Sequence, residues 1–508
     1  LDWAHAFDLN DDGQYDDVLD PGAILPTPVD LAIDFGSNLE FRLTGVFTGT
    51  GSYSYDPDFG TNKTVTIDNV ILTFGDVRIA GTAEFALVKR TVSVDENGTA
   101  AGGVASGASL MSVALTVSGL GVHVEDVAHL NVSGQLALAS VTPAAQTVAR
   151  YTAFKMGDVV VSGDVNLGIG ELTAEIVVKS LDMNTAAVGF ARLDWTHAFD
   201  LDGDGQYGDV LDPGAELPTP VDLAIDFASS LEFRLTGSFS GTGDYLAVDD
   251  DFDAATAAKN YHNVILTLGD VRLTGTAEFA LVKRTVSVDE NGTVANGVAN
   301  GASLLSVALT VSGLGVHVGN VAHLSVSGQL ALASVTLSGQ TVARYTAFKM
   351  GDVSVSGDVN LGIGELTAEI VVKSLDMNSA PVGQTRLDWA HAFDLDGDGQ
   401  YGDVLDPGAE LPTPVDLSID FTSSLEFRLT GSFSGTGEYI YDPDFDADTD
   451  NDVTIDNVIL TFGDVRIAGT AEFALVKRTV SVDENGTAAL GVANGASLMT
   501  MALTVNGL

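Results

Sequence analysis

The feature that most constrains the fold of this chain is a tandem repeat of about 194 residues. The segment LDWAHAF at Leu1 returns as LDWTHAF at Leu193 and as LDWAHAF at Leu387. A longer segment, GTAEFALVKRTVSVDENGT, also occurs three times, starting at Gly81, Gly275 and Gly469. Arrays of near-identical units bury apolar surface within and between neighbouring repeats. The sequence therefore predicts two complete units and one partial unit, at residues 1–192, 193–386 and 387–508.

Most of each unit alternates apolar and polar residues with a period close to two, which is typical of β-strands. SLEFRLTGSFSG and ELTAEIVVKSL are two examples, rich in β-branched and apolar residues. No stretch of the sequence keeps a helical period of 3.6 residues, so we expect an all-β protein. Turns are predicted at GSN, at DENG and at two Gly-Asp pairs, which begin at Gly36, Asp95, Gly75 and Gly157.

Two all-β architectures are compatible with this pattern. Apolar segments of the type hxVxG, interpreted as strand ends, close at irregular intervals, at Gly45, Gly81, Gly119, Gly134 and Gly163. A β-solenoid has short rungs at constant spacing, so the irregular intervals favour an elongated array of antiparallel, sandwich-like sheets. A β-solenoid is the alternative.

The charge balance restricts the partners of the chain. Asp and Glu total 70 against 22 Lys and Arg, which gives a formal net charge of −48. Such a polyanion repels nucleic acid and anionic lipid headgroups, and it attracts cations. The chain has no cysteine, so divalent metal rather than disulfides is the expected staple. Because 45% of its residues are hydrophobic, it has enough apolar material for a core.

The charges are unevenly distributed within a unit. Residues 193–253 contain 15 acidic residues and one arginine, whereas residues 292–343 contain no Asp, Glu, Lys or Arg. Ser, Thr, Gly and Asn dilute the uncharged stretch in strand-like alternation, so a transmembrane helix is not expected. We expect a covered sheet inside a domain; the alternative is that one face packs against the next repeat or a neighbouring chain.

An acidic, glycine-punctuated loop follows each LDWxHAF segment. In the second copy, Asp200, Asp202 and Asp204 occupy positions 1, 3 and 5, and Gly205 at position 6 permits a sharp turn. The backbone carbonyl of Gln206 falls at position 7. Ca²⁺ prefers six to eight oxygen ligands, and this spacing supplies them from a short loop. The sequence therefore predicts that each copy binds Ca²⁺.

The predicted ligands are the alternating Asp or Asn residues, the glutamine at position 7, and two further carboxylates in each copy. They are Asp8, Asn10, Asp12, Gln14, Asp17 and Asp20; Asp200, Asp202, Asp204, Gln206, Asp209 and Asp212; and Asp394, Asp396, Asp398, Gln400, Asp403 and Asp406.

This D-x-D-x-D-G core resembles the calcium loops of EF-hands, dockerins, thrombospondin type 3 repeats and integrin-type propeller blades. The resemblance covers about a dozen residues per copy. It departs from the EF-hand at position 12, where Leu19, Leu211 and Leu405 replace Glu, and no flanking helices are expected. The resemblance therefore implies calcium-loop chemistry but not the helix-pair switch of an EF-hand.

Other polar residues receive weaker interpretations. Trp3, Trp195 and Trp389 precede the loops and are interpreted as packing anchors, and His5, His197 and His391 are not expected to be ligands. A second acidic cluster, at residues 248–253 and 442–452, lies in a loop that varies between copies and could hold another ion. His123 and His129, like His317 and His323, share a face if their segment is one strand, but two histidines make a poor metal site.

The sequence contains none of the common catalytic motifs, and we expect no enzymatic activity. At the level of architecture it resembles giant tandem-repeat surface proteins of bacteria and archaea, such as adhesins and extracellular fibres. The resemblance implies a calcium-stabilised structural repeat segment located outside the cell or on its surface. The expected partners are further copies of its own repeat, with lateral self-association into fibres; nucleic acid and membrane insertion of this segment are not expected. The alternative function is a multivalent array of carbohydrate- or cell-binding modules. Since the sequence begins at Leu1 and stops inside a repeat, we expect a longer polypeptide.

Overall fold

The computed structural model describes residues 1–55, 65–74, 76–98, 103–124, 127–166, 170–247, 259–268, 270–292, 297–319, 321–360, 364–441, 453–486 and 491–507. The described helices are single 3₁₀ turns at Trp3–His5, Pro21–Ile24, Pro213–Glu216 and Pro407–Glu410. None of them is long or apolar enough to cross a membrane.

Twenty-four β-strands account for most of the described chain. The first unit contains β1 (Leu39–Thr48), β2 (Gly51–Tyr55), β3 (Val65–Phe74), β4 (Val77–Asp95), β5 (Val104–Val124), β6 (Ala128–Thr142), β7 (Tyr151–Asn166) and β8 (Gly170–Ala186). The second contains β9 (Phe199–Asp200), β10 (Leu231–Gly241), β11 (Gly243–Ala247), β12 (Lys259–Leu268), β13 (Val271–Asp289), β14 (Val298–Val318), β15 (Ala322–Thr336), β16 (Tyr345–Asn360) and β17 (Gly364–Ser379). The third contains β18 (Phe393–Asp394), β19 (Leu425–Gly435), β20 (Gly437–Tyr441), β21 (Val453–Phe462), β22 (Val465–Ala468), β23 (Thr470–Asp483) and β24 (Val492–Asn506).

The strands form one large antiparallel sheet, which runs without a break across the boundaries between the sequence repeats. Within a unit, β4 to β8 pair in chain order. Strand β8 then pairs with β10 and with β12, and both of these pair with β13. The short strands β10 and β12 thus lie end to end in one row of the sheet. Strands β13 to β17 repeat the meander, and β17 continues the sheet into β19.

A line of β-bulges crosses the sheet near the middle of its long strands. The register shifts between Ala80 and Thr82 in the β4–β5 pair and between Val117 and Leu120 in the β5–β6 pair. Further shifts follow in β6–β7, β8–β10 and the corresponding pairs of the second unit. Each bulge places an unpaired residue in a strand and increases the local twist.

The strands correct two expectations about glycine. The glycines interpreted as strand ends, Gly45, Gly81, Gly119, Gly134 and Gly163, lie inside strands β1, β4, β5, β6 and β7. The turn predicted at Gly157 is wrong as well, because Asp158 lies within β7 as a bulge residue with φ 49°. Glycine and Asp tolerate positive φ in bulges as well as in turns, so the sequence alone did not separate the two. Gly75, where the other Gly-Asp turn is predicted, lies outside the described residues, so that turn stays a prediction.

Two polypeptide segments, residues 193–230 and 387–424, cover one face of the sheet, and we call them the junction segments. Each begins a sequence repeat but packs on the strands of the repeat before it. The first shares a buried cluster with β4 to β7, in which Trp195 and Phe199 join Leu110 and Ala137. The second forms the matching cluster on β13 to β16. The sheet face beneath these segments is the covered face; the opposite one is the apolar face.

The uncharged stretch at residues 292–343 is largely strands β14 and β15. On the covered face its small and apolar residues, such as Ala308 and Ala331, are buried with Trp389 of the next repeat. The prediction of an all-β protein is confirmed. The finer predictions of sandwich-like modules or a β-solenoid, and the repeat units as domains, stay predictions.

Candidate metal centre

The second and third acidic loops belong to the junction segments, which main-chain pairing fixes to the preceding repeat. Phe199 and Asp200 form β9 and pair with Val94 and Ser93 of β4. Next to them, the N–H of Asp95 donates to the carbonyl of Ala198 at 2.8 Å. The first predicted ligand of the second loop, Asp200, therefore sits at the edge of a strand from the previous repeat. In the third copy, β18 pairs with β13 in the same way.

A buried asparagine holds the start of each junction segment. The Asn184 side chain, on β8, donates to the carbonyl oxygens of Leu193 at 2.9 Å and Ala228 at 3.2 Å. Its Oδ1 accepts a hydrogen bond from Nε1 of Trp195 at 3.1 Å. The Trp195 side chain is fully buried. Asn378 makes the same three bonds around Trp389 in the next junction.

These contacts confirm Trp195 and Trp389 as packing anchors, whereas Trp3 is only half-buried. The histidines two residues later lie at the surface: the side chains of His197 and His391 are each 66% exposed. Each pairs with the Asp three residues before it, at 3.6 Å for His197 and Asp194 and at 3.4 Å for His391 and Asp388.

The backbone of the acidic loop winds around its own carboxylates. In the second copy, Asp200 accepts hydrogen bonds from the N–H groups of Gly203 at 2.7 Å and Gly205 at 3.1 Å. Asp202 accepts from the N–H of Asp204 at 3.0 Å. The chain can curl this tightly because Gly203 and Gly205 adopt φ of 81° and 83°, the left-handed conformation that favours glycine.

This winding brings carboxylates together. Oxygen atoms of Asp200, Asp202 and Asp209 lie within 4.8 Å of one another in the second copy. In the third copy the group is Asp394, Asp396 and Asp398, so the third member comes from position 5 instead of position 10. Three carboxylates at this separation fit a hard divalent cation with oxygen ligands, and without one they repel one another. The residues present therefore suit Ca²⁺.

The closing carboxylate at position 10 of the loop is positioned by the backbone. Oδ2 of Asp209 accepts hydrogen bonds from the N–H of Leu201 at 2.6 Å and of Asp202 at 3.2 Å. Oδ2 of Asp403 accepts the same pair of bonds in the third copy, from Leu395 at 2.6 Å and Asp396 at 3.3 Å. Both copies thus bring this carboxylate back over the start of the loop.

The first copy has similar backbone bonds but a weaker donor set. Asp8 accepts from the N–H of Gly13 at 3.0 Å, and Asp17 accepts from Leu9 at 2.5 Å. Position 3 is Asn10, whose Nδ2 donates to Asp17 at 3.2 Å. Among the described residues, the groups of three close carboxylates include none from this copy.

Some predicted ligands also have a structural task. Oδ1 of Asp212 accepts hydrogen bonds from the N–H of Gly214 at 2.9 Å and of Leu223 at 3.0 Å. It thereby caps the 3₁₀ helix at Pro213–Glu216. Asp20 and Asp406 cap the equivalent helices. The glutamine of each loop donates its N–H to the Asp two residues earlier, at 2.8 Å for Gln14, 2.7 Å for Gln206 and 2.7 Å for Gln400.

A buried ion pair at the repeat boundary was not predicted from the sequence. Asp182 on β8 is 1% exposed and accepts hydrogen bonds from Arg234 on β10, at 2.8 Å from Nε and 2.7 Å from Nη2. Burial raises the pKa of Asp182, and the positive charge of Arg234 opposes this increase. Asp376 and Arg428 form the equivalent pair, and burial likewise raises the pKa of Asp376. The alternating pattern of the sequence does not predict this ion pair, because it identifies the two strands but not which of their residues lie opposite each other.

The paired histidines lie on one face, as expected. The Nδ1 atoms of His123 and His129 are 3.4 Å apart, and those of His317 and His323 are 3.1 Å apart. In the second unit the ring of Tyr261 packs on His317, with centroids 4.1 Å apart. Burial, together with the neighbouring His129, lowers the pKa of His123 to about 4. This imidazole is therefore neutral at pH 7.

The second acidic cluster, at residues 248–253 and 442–452, lies outside the described residues. Comparison of the chain with protein-family models and with curated proteins finds no match.

Proposed function

We propose that this chain is a structural repeat segment of an extracellular filament or cell-surface adhesin, in which Ca²⁺ bound by the acidic loops stabilises the junctions between repeats. The observation that supports this most directly is the position of the loops. The second and third loops each belong to one repeat in sequence, yet their junction segments are buried against the strands of the repeat before them. An ion that orders the loop would therefore stiffen the connection between two repeats.

Direct contacts show how the junction segment holds its neighbour. Glu84 of β4 accepts two hydrogen bonds from Thr219, at 2.7 Å from the N–H and 2.9 Å from Oγ1. Nζ of Lys155 donates to the carbonyl of Ala224 at 2.6 Å. Glu278 with Thr413, and Lys349 with Ser418, repeat these contacts at the second junction. These bonds support a structural role, since they join repeats and leave the loops at the surface.

In this proposal Asp200, Asp202 and Asp209 hold one ion, and Asp394, Asp396 and Asp398 hold another. The bound ion supplies positive charge that relieves the repulsion between the carboxylates. Extracellular modules bind Ca²⁺ with dissociation constants of about 10⁻⁴–10⁻³ M. At ten times that concentration, each site adds about 1.4 kcal/mol to the free energy of unfolding.

The test compares thermal unfolding of the chain in EGTA and in CaCl₂, with NaCl added to match ionic strength. The CaCl₂ concentration is about 5–10 mM, roughly ten times the dissociation constants of extracellular calcium modules. We expect Ca²⁺ to raise the melting temperature of the wild-type chain. The double variant Asp202→Asn/Asp396→Asn should lose most of this increase. Asp76→Asn/Glu438→Gln is the matched control, because it removes the same number of charges at exposed positions outside the loops.

If Ca²⁺ raises the melting temperature no more than NaCl does, the loops are solvated acidic turns and the calcium part of the proposal is wrong. If the control variant loses the calcium effect equally, the ion binds diffusely to the acidic surface. A calcium-dependent increase that only the loop variant loses would support the proposal.

A further inference from the structure

The apolar face of the sheet carries an unbroken line of large apolar side chains across twelve successive strands. In order of pairing, from β4 to β19, the line consists of Phe85, Leu115, Leu136, Met156, Leu181, Leu235, Leu281, Val307, Leu332, Phe348, Met377 and Phe427. Directly paired residues project from the same face of a sheet. Three sequence repeats thus contribute to one surface, and no charged residue interrupts the line.

All seven methionines of the chain lie on this face. Met156 and Met377 are in the line itself. Met111, Met183, Met350, Met499 and Met501 occupy the same face beside it, as their register with Lys89, Phe154, Leu330, Lys477 and Leu475 shows. Methionine is flexible and polarisable, and it is enriched in protein–protein interfaces. Its confinement to one face distinguishes this surface from the Ala-rich covered face.

The side chains of this face are accessible. Met183 is 40% exposed and Met377 is 45% exposed, whereas Asn184 and Asn378, one residue further along, are buried beneath the junction segments. Beyond the bulge line the same face presents Leu120, Leu314 and Ile370, each more than two-fifths exposed. Exposed apolar surface of this extent marks an interaction site.

We infer that the apolar face binds the apolar face of a second copy of this chain. Twelve strands about 4.8 Å apart, each contributing about ten residues at roughly 3.4 Å, give an area of roughly 1,800 Å² per copy. A standard interface needs only about 800 Å² per partner, and interfaces of this larger size are typical of permanent dimers. The area is thus sufficient for a stable pair.

The charge of the molecule confines self-association to the apolar face. With a net charge of −48, the acidic surfaces of two copies repel each other, so two copies can associate only through the surface where apolar side chains predominate. A partner with charged groups would have to bury them unpaired. A second copy instead brings an identical face, as a twofold interface requires, and the lysines on it, Lys89, Lys283 and Lys477, already pair with glutamates of the same chain. Two such faces stack about 10 Å apart, which makes a β-sandwich whose two sheets come from different chains.

This inference goes beyond the proposed function and is independent of Ca²⁺, because the acidic loops lie on the other face of the sheet. The test measures the mass of the full chain by analytical ultracentrifugation between 1 and 100 µM, in EGTA and in CaCl₂. We expect a species of twice the 52.5 kDa of one chain under both conditions. The variant Met183→Lys/Met377→Lys places two ammonium groups in the interface and should weaken association by at least about 100-fold.

The matched control is Val188→Lys/Val382→Lys, which adds the same charge at two fully exposed positions outside the strands. It should dimerise like the wild-type chain. Because Met183 and Met377 are partly exposed, the lysine variant should keep its β-sheet circular dichroism and the fluorescence of buried Trp195 and Trp389.

Three results would overturn the inference. The first is a wild-type chain that stays monomeric at 100 µM. The second is a dimer that the methionine variant does not weaken more than the control, or that EGTA dissociates, since the contact would then lie elsewhere. The third is a monomer that co-floats with phosphatidylcholine vesicles and loses this binding in the methionine variant, which would assign the face to lipid.

Discussion

At the scale of single residues, the buried imidazole of His123 makes the stability of the chain depend on pH. Its pKa is about 4 in the folded chain, against about 6.5 when unfolded. Below pH 6.5 the unfolded chain therefore takes up a proton that the folded chain does not accept until about pH 4. The stabilising contribution of the neutral imidazole is complete above pH 6.5 and is lost as the pH falls toward 4, by about 3 kcal/mol at most.

The measurement is urea unfolding between pH 7.5 and 4, comparing the wild-type chain with His123→Gln. Gln can still hydrogen-bond to His129 but does not titrate, so the variant should lose less unfolding free energy on acidification. Arg78 faces His123 from β4 in both chains, so it does not alter the comparison. His197→Gln is the control, because that side chain is 66% exposed. Equal pH profiles for His123→Gln and the wild-type chain would contradict the prediction.

In the candidate calcium site, the sequence predicts contacts between residues that are close along the chain. The spacing of Asp200, Asp202 and Asp209 is local, and a loop that curls around its own carboxylates brings them together. Asp212 is also an acidic residue of this loop region, but it caps a 3₁₀ helix. Its second hydrogen bond comes from the N–H of Leu223, and the sequence does not show that the chain brings Leu223 close to it. Asn184 and the Asp182–Arg234 pair were not predicted, because their partners are brought together only by the sheet.

At the scale of elements, the bulge line predicts a strict requirement for glycine. Gly275 in β13 has φ 141°, and a Cβ there would lie 2.8 Å from Cα of Leu314. Gly275→Ala should lower the free energy of unfolding by roughly 2 kcal/mol, because both the backbone conformation and the neighbouring strand oppose a side chain. Gly351→Ala, in β16, should change it by less than about 1 kcal/mol, since a Cβ at that position meets nothing within 4 Å.

Urea unfolding followed by circular dichroism measures both variants. Equal losses of unfolding free energy would mean that the bulge at Gly275 adjusts as readily as the open position at Gly351.

The bulges also explain why strand content could be predicted but strand length could not. A period of two identifies a strand, whereas a glycine within it reads equally well as a turn or as a bulge.

At the scale of the whole molecule, the sheet and the junction segments couple the repeats in different ways. The β8–β10 and β17–β19 pairs join repeats by main-chain hydrogen bonds, and the junction segments join them by burial. The repeat itself was evident in the sequence. The packing between repeats was not evident, since no local pattern shows that residues 193–230 pack on strands that precede them by up to about a hundred residues.

This coupling predicts that a destabilising substitution at one junction also lowers the stability of the other junction. Asn184→Ala leaves the carbonyls of Leu193 and Ala228 without their partner, which should cost roughly 1–3 kcal/mol at the first junction even where Trp195 is replaced. In a background of Trp3→Phe and Trp195→Phe, the fluorescence of Trp389 reports unfolding of the second junction alone. If one continuous sheet unfolds cooperatively, Asn184→Ala must lower the urea midpoint seen by Trp389 as well. Asn378→Ala, read by Trp195 in a background of Trp3→Phe and Trp389→Phe, is the reciprocal experiment. If Asn184→Ala leaves the urea midpoint reported by Trp389 unchanged, the repeats unfold independently, each on its own part of the sheet.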